Sequence, residues 1–260
     1  MIQRVFARKM RSFKTLVQIE LKERKYHKRL KYLYFNKGAK HLVILFNGFG
    51  GERPKYNYVR GLNKEKGVDR LYILDDFGYK GSYLLFEDGK ETPRLMVESL
   101  INDILSKKHY DTIIMAGSSK GGTDAMYFGL KFNADIILTG ACQYNIGSYL
   151  HRPDHEKIFL SMMGENASEK ECAYLNSLLP NLLEEYKNTW KGKLYLLYSK
   201  NELTYERQIV DLINKLNECK YPYTEILETF EEHEEVGIPF LNLIKRTISN
   251  LDTIGNNKKK

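Results

Sequence analysis

Thr112-Ile113-Ile114-Met115-Ala116-Gly117-Ser118-Ser119-Lys120-Gly121-Gly122-Thr123-Asp124-Ala125-Met126 runs from an apolar strand pattern through Gly-x-Ser-x-Gly straight into a helical pattern. That strand, tight turn and helix form the context in which a Gly-x-Ser-x-Gly motif reads as a nucleophile elbow. In an elbow the central residue takes a strained backbone conformation, and the positions two before and two after lie too close together for side chains. Centring on Ser119 places Gly117 and Gly121 there, whereas centring on Ser118 would place Ala116 and Lys120 there. Ser119 is therefore the candidate nucleophile. The Lys120 N–H, opening the helix, would face a developing oxyanion with the helix dipole behind it. A glycine turn that cradles phosphate or is purely structural is the competing reading, although neither Gly-x-x-x-x-Gly-Lys-Ser/Thr nor Gly-x-Gly-x-x-Gly occurs here.

Outward from this turn, apolar runs predict strands at Leu30–Phe35, His41–Phe46, Leu71–Leu74, Ile136–Thr139, Leu194–Tyr198 and Thr224–Thr229. The first two read as a hairpin turned by Asn36-Lys37-Gly38. Helical periodicity covers Thr92–Ser106, Gly122–Phe132, Lys170–Asn188, Glu206–Cys219 and Gly237–Leu251. Alternating strands and helices specify an α/β protein with a mostly parallel sheet covered on both faces, whose sites lie at the carboxyl ends of the strands. The stretch 142–188, carrying Tyr144, Tyr149, Arg152, Met162, Met163 and Tyr174, reads as a helical cap inserted between strands, and equally as a core-packing insertion.

A serine nucleophile needs a base and a carboxylate that orients it, and in sheets of this kind these follow the serine in the chain. His27 and His41 precede the motif, and His109 lies at the opposite end of its strand. His151 and His155 fall in the insertion, where a substrate contact or a solvated loop explains them. His233 follows the last strand, which is the expected place of the base, amid Glu231, Glu232, Glu234 and Glu235. After strand Leu194–Tyr198, Glu202 is the candidate acid and Glu206 the reserve. A second oxyanion donor is expected from Phe46-Asn47-Gly48-Phe49-Gly50-Gly51, with the Phe49 N–H assigned and Gly48 or Gly50 as near alternatives. Asn47 and Gly48 would shape that loop, as Gly117 and Gly121 shape the elbow.

Charge is uneven along the 260 residues, which carry a net +8. Residues 1–40 hold 13 Lys and Arg against two acids, a net +11, and Lys258–Lys260 add +3, leaving 41–257 at −6. The basic ends and the lack of an aromatic–basic platform in 41–257 argue against nucleic-acid binding. Phe6, Met10, Phe13, Val17 and Leu21 define an amphipathic helical stripe within a basic N-terminal segment, 1–29, that either packs on the domain or lies on an anionic membrane surface. No apolar run approaches the ~20 residues of a membrane-spanning helix, and the first residues lack a signal-peptide core. A cytoplasmic protein, at most peripheral at the inner face of the membrane, is expected. Cys142, Cys172 and Cys219 are too widely spaced for a zinc knuckle and read as buried thiols. No metal is expected.

With Gly-Ser-Ser-Lys-Gly-Gly, Phe-Asn-Gly-Phe-Gly-Gly, Glu202 and His233 in hand, the sequence resembles α/β-hydrolase-fold proteins of bacterial capsule and surface-glycan modification. These are capsular polysaccharide O-acetyltransferases of the meningococcal serogroup A type, capsule biosynthesis proteins of related clusters, and the O-acetyltransferase domain of the accessory secretion system. The resemblance covers residue 30 or so to the C-terminus, so the catalytic domain is taken as 30–254 and 255–260 as a basic tail. It implies that Ser119, His233 and Glu202 pass an acetyl group from acetyl-CoA to a sugar hydroxyl of a capsular or surface polysaccharide. Glu202 stands where relatives carry Asp or Glu. A carbohydrate esterase with the same triad, or a non-catalytic capsule-assembly protein on a hydrolase scaffold, are the alternatives.

Overall fold

The computed structural model describes residues 14–51 and 53–251. Its frame is an eight-stranded sheet in the order β1-β2-β4-β3-β5-β6-β7-β8. The strands are β1 (Glu23–Tyr26), β2 (Leu30–Phe35), β3 (His41–Phe46), β4 (Val68–Leu74), β5 (Thr112–Ser118), β6 (Ile136–Gly140), β7 (Lys193–Ser199) and β8 (Tyr223–Glu228). From β4 to β8 neighbouring strands are parallel, while β1 and β2 are antiparallel additions at one edge.

Strand side chains alternate between two apolar layers, as a period of two requires. Leu42, Ile44 and Phe46 of β3 join one layer, and Val43 and Leu45 join the other. The first layer is covered by α2 (Thr92–Lys107), α3 (Lys120–Lys131), α6 (Glu169–Tyr186) and α7 (Val210–Glu218). On the second face lie α1 (Val59–Leu62) and α8 (Gly237–Ser249), which contribute Val59, Leu62, Phe240, Leu243 and Ile244. Two short helices, α4 (Ile146–Leu150) and α5 (Glu156–Met163), precede α6 in the insertion between β6 and β7. There Tyr144 and Met162 are core residues, while Tyr174 is exposed.

The hairpin expected between Leu30–Phe35 and His41–Phe46 does not form. β2 pairs instead with β1 and β4, and β4 lies between β2 and β3. The cause lies in Asp69 and Arg70, two charged residues that made the start of β4 look like loop. Both are buried within the strand. Asp69 Oδ1 accepts the Lys37 and Ala39 N–H groups (2.7 and 3.1 Å), and its Oδ2 accepts Lys108 Nζ and the Tyr110 hydroxyl (2.6 and 3.0 Å). Arg70 donates to the Leu62 carbonyl. A fully buried strand needs neighbours on both edges, and β4 takes them from β2 and β3.

Near the N-terminus, residues 14–22 are helical and Glu23 already belongs to β1. Ile19 packs against the second apolar layer, whereas Val17 and Leu21 of the expected stripe are 36% and 77% exposed. The rest of that stripe (Phe6, Met10, Phe13) and the tail 255–260 lie outside the described residues. No helix among the described residues is long and apolar enough to cross a membrane. All three cysteines are free and buried.

Candidate active site

The chain leaves β3 toward β4 on one side, and from β5 it continues toward β6 on the other. This reversal makes the carboxyl ends of β3 and β5 the switch point of the sheet, the position where ligands bind in open α/β sheets. Two loops line it, one beginning at Asn47 and the other being the Ser119 turn.

Ser119 caps α3 with φ 56° and ψ −134°, a left-handed conformation that a non-glycine residue holds only when its surroundings impose it. A Cβ on Gly117 would stand 2.0 Å from the Gly121 carbonyl oxygen, and one on Gly121 would stand 2.5 Å from that of Phe46. Both glycines are therefore fixed by backbone contact. The Ser119 carbonyl accepts the N–H of Gly122 (2.8 Å) and Thr123 (3.3 Å). The Lys120 N–H, first in the helix, has no intrahelical acceptor.

Ser119, His233 and Glu202 come together although even the closer pair lies 31 positions apart in the chain. His233 opens a 3₁₀ turn, His233–Val236, after β8. Its Nε2 lies 2.7 Å from Ser119 Oγ, and its Nδ1–H donates to Glu202 Oε1. Glu202, 5% exposed after β7, also accepts the Thr204 hydroxyl at 2.6 Å. With two donors on one oxygen, the carboxylate is fixed and the imidazole is held with Nε2 toward the serine. Glu206, the reserve acid, is exposed in a π-helical turn, Tyr205–Ile209. Two of the glutamates around His233 have a local role: Glu232 and Glu235 form a capping box on the 3₁₀ turn.

The Asn47 loop runs against the elbow. A Cβ on Gly48 would stand 3.4 Å from the Ser118 carbonyl oxygen and 3.7 Å from Ser119 Cβ. Asn47 is buried, donating to the Gly48 carbonyl (2.9 Å) and accepting the Asp75 N–H (2.7 Å). Phe49, half-buried, sets its ring edge-on to Tyr83 and parallel to Tyr149. The other histidines have different surroundings. His151 faces Glu169 at 3.4 Å, and His155 contacts Asp154 (3.0 Å) and Arg152 (2.9 Å).

Several polar side chains at the site have roles that the sequence does not show. The Lys120 side chain is fully buried, with Nζ between Asp75 Oδ2 (2.9 Å) and Asp124 Oδ2 (3.0 Å). Burial pulls its ammonium down, but Asp124 and Asp75 outweigh that and hold it above the usual lysine value. Two carboxylates share one cation, so Asp124, desolvated and repelled by Asp75, is pushed up to about 7. Tyr58, in the left-handed region at φ 63°, shares a 2.5 Å hydrogen bond with Ser118 Oγ. Gln143, fully buried, reaches Ser119 Oγ from the loop after β6. The one available signal was position, since Asp75 and Gln143 each follow the carboxyl end of a strand.

Strand order, the elbow at the end of β5 and helices on both faces define an α/β-hydrolase fold. No family model matches the chain, and no curated protein sequence matches it significantly. Solved structures do. The capsule O-acetyltransferase of Neisseria meningitidis serogroup A superposes with a TM-score of 0.71 at 21% identity, over 85% of this chain and 92% of that one. A histidine-to-alanine variant of the same enzyme, in complex with CoA, gives 0.69 at 20% identity. The Glycosylation Associate Protein (Gap123) complex of Streptococcus agalactiae gives 0.70 at 19% identity, over 88% of this chain but only 46% of that one. An S-formylglutathione hydrolase from Agrobacterium tumefaciens gives 0.57 at 13% identity, over 88% and 92%. At these identities the likeness establishes the fold.

Proposed function

We propose that this chain is an acyltransferase that moves an acetyl group from acetyl-CoA to a sugar hydroxyl of a bacterial capsular or surface polysaccharide. The observation that carries the reading is the continuous relay from Glu202 through His233 to Ser119 Oγ, with a 2.7 Å approach of Nε2 to the hydroxyl of a strained elbow. Structural similarity to an O-acetyltransferase solved with CoA supports the choice of donor.

In the first step Ser119 Oγ forms a bond to the acetyl carbonyl carbon as its proton passes to His233 Nε2. The oxyanion is met by the Lys120 N–H and by the Asn47–Phe49 loop, with the Phe49 N–H as second donor. Collapse breaks the carbon–sulfur bond, and His233 returns the proton to the leaving sulfur. In the second step a sugar hydroxyl attacks the acetyl carbon as its proton goes to His233, and the carbon–Oγ bond breaks as His233 passes that proton to Oγ. Glu202 keeps the tautomer and stabilises the imidazolium in both steps.

Net transfer requires that the acceptor outcompete water. The insertion 142–188 reaches the Asn47–Phe49 loop through Tyr149, whose ring stacks on Phe49 and lies beneath Arg152 (4.7 Å), so it would help to close this side of the site against water. The basic N-terminal segment, with Leu16 and Leu21 exposed, would hold the enzyme peripherally at an anionic membrane surface or capsule-assembly site on the cytoplasmic side. Incubation with acetyl-CoA and capsule oligosaccharides, followed by mass spectrometry of CoA and sugar, tests the reaction. Acetylated sugar matching released CoA is the expected result. CoA release with unmodified sugar across an acceptor panel would instead indicate a hydrolase.

A further inference from the structure

We infer that Gln143 is a further catalytic residue of this site, its side-chain amide supplying the hydrogen bond that takes up charge on Ser119 Oγ when that oxygen leaves the acyl group. The inference rests on the reading of Ser119 as nucleophile.

Gln143 lies three residues past β6, after Ala141 in the left-handed region (φ 43°). Its side chain is fully buried, so both ends of the amide must find partners inside the protein. Nε2 donates to Ser119 Oγ at 3.4 Å, and Oε1 accepts the Tyr83 hydroxyl at 3.4 Å. Both contacts are at the long limit for a hydrogen bond between neutral groups. Such a contact shortens and strengthens when the acceptor becomes anionic.

The placement is rigid. The Gln143 N–H donates to Thr123 Oγ1 (3.0 Å), and the Thr123 hydroxyl donates back to the Gln143 carbonyl (2.8 Å). Thr123 is one helical turn past Ser119, so the glutamine is tied to the helix that carries the nucleophile. Farther along the loop, the Asn145 N–H donates to Gln208 Oε1 at 2.8 Å, fastening it to the π-helical turn.

The amide oxygen faces the Tyr83 hydroxyl and the NH₂ group faces Ser119. Tyr83 and Leu84 have φ values of 55° and 52°, unusual for bulky residues. The Asp75 carboxylate holds this turn by accepting the N–H groups of Ser82 (2.7 Å) and Leu84 (3.2 Å), and Lys120 neutralises Asp75 from the elbow side. Burial raises the Tyr83 phenol well above its ordinary pKa, so it remains a donor. A hydroxyl donating to Oε1 turns the NH₂ group toward Ser119. In the reverse orientation the amide oxygen would compete with His233 for the serine proton.

Ser119 Oγ thus gives its proton toward His233 and accepts one from Gln143. During acyl-enzyme breakdown the carbon–Oγ bond breaks and negative charge builds on Oγ before His233 returns the proton. Gln143 stabilises that charge. During acylation the same bond slightly reduces the nucleophilicity of Oγ, so its effect falls mainly on deacylation.

The test uses the full chain and p-nitrophenyl acetate, with the p-nitrophenolate burst reading acylation and the steady state reading deacylation. Wild type should turn over and Ser119→Ala should not; a wild type that fails to react would overturn the nucleophile reading and this inference with it. Given a reactive wild type, Gln143→Leu should slow deacylation about 10- to 100-fold while leaving acylation unchanged or slightly faster, so that acetyl-enzyme accumulates. Gln143→Met, with a similar volume, should behave alike, and Tyr83→Phe should shift the partition the same way by a smaller factor. Should the Gln143 variants unfold on heating at a much lower temperature, Tyr83→Phe decides. Equal slowing of both steps, or an unchanged partition, would overturn the role of Gln143 and leave that of Ser119 intact.

Discussion

Replacing Lys120 by Met removes the cation from a site that holds two carboxylates out of water. Lys120 Nζ stands 2.9 Å from Asp75 Oδ2 and 3.0 Å from Asp124 Oδ2, and all three side chains are essentially unexposed. Removing one partner from a buried ion pair costs about 3–5 kcal/mol, because the remaining charge is left without compensation. Against the ~5–15 kcal/mol that holds a domain folded, this is a large share. The cost should depend on pH in a definite sense. Asp124 is raised to about 7 from an ordinary value of 3.8, so the stability linked to its protonated form is fully present below about 4 and is lost as pH rises through 7. Without the ammonium, Asp124 favours its proton still more. Lys120→Met should therefore lose less stability at pH 5 than at pH 8, and adding Asp124→Asn should recover part of the loss at pH 8. Urea unfolding of the wild type, single and double variants at both pH values measures this. A loss below about 1 kcal/mol at pH 8, or one of equal size at pH 5, would refute the reasoning.

Glu202→Gln keeps the shape of the acid but removes the charge that stabilises the imidazolium; turnover should fall about 10²- to 10⁴-fold with an unchanged melting temperature, and an undiminished rate would remove Glu202 from the relay. Gly121→Ala drives a Cβ to 2.5 Å from the Phe46 carbonyl oxygen, displacing the Asn47 loop; it should cost about 1–3 kcal/mol in denaturant unfolding and abolish acyl transfer, and wild-type behaviour in both would contradict the packing described. Asp124→Asn alone leaves one Lys120–Asp75 pair; relative to wild type it should become more stable as pH rises from 5 to 8, and a difference in urea midpoints that stays constant over that range would show that Asp124 is already ionised at pH 5.

The elbow was legible because backbone sterics dictate its residue types: Gly117 and Gly121 are required by contacts of 2.0 and 2.5 Å to neighbouring carbonyl oxygens. The positions of His233 and Glu202 followed from strand counting, since each lies just past a strand whose apolar run was clear. The β1-β2-β4 edge of the sheet is hidden in the sequence for an electrostatic reason. Asp69 and Arg70 resemble loop residues until Lys37, Ala39, Lys108, Tyr110 and Leu62 are seen to satisfy them, and those partners are set by tertiary structure. The same holds around the nucleophile. Gln143 meets Tyr83 across 60 positions, and Lys120 meets Asp75 across 45, so neither pairing leaves a periodic trace. At Val17 and Leu21 the N-terminal stripe does not pack on the domain: the segment turns into β1 at Glu23, and Ile19 rather than those residues faces the core.

The central claim is that Ser119 carries the acetyl group between donor and acceptor. Brief incubation with acetyl-CoA, acid quenching and peptide mass spectrometry would test it most directly. The account predicts one acetyl group on the peptide containing Ser119, lost on adding acceptor sugar and absent from Ser119→Ala. Acetyl-sugar formation by Ser119→Ala at the wild-type rate, or a label on another residue that turns over with acceptor, would contradict it.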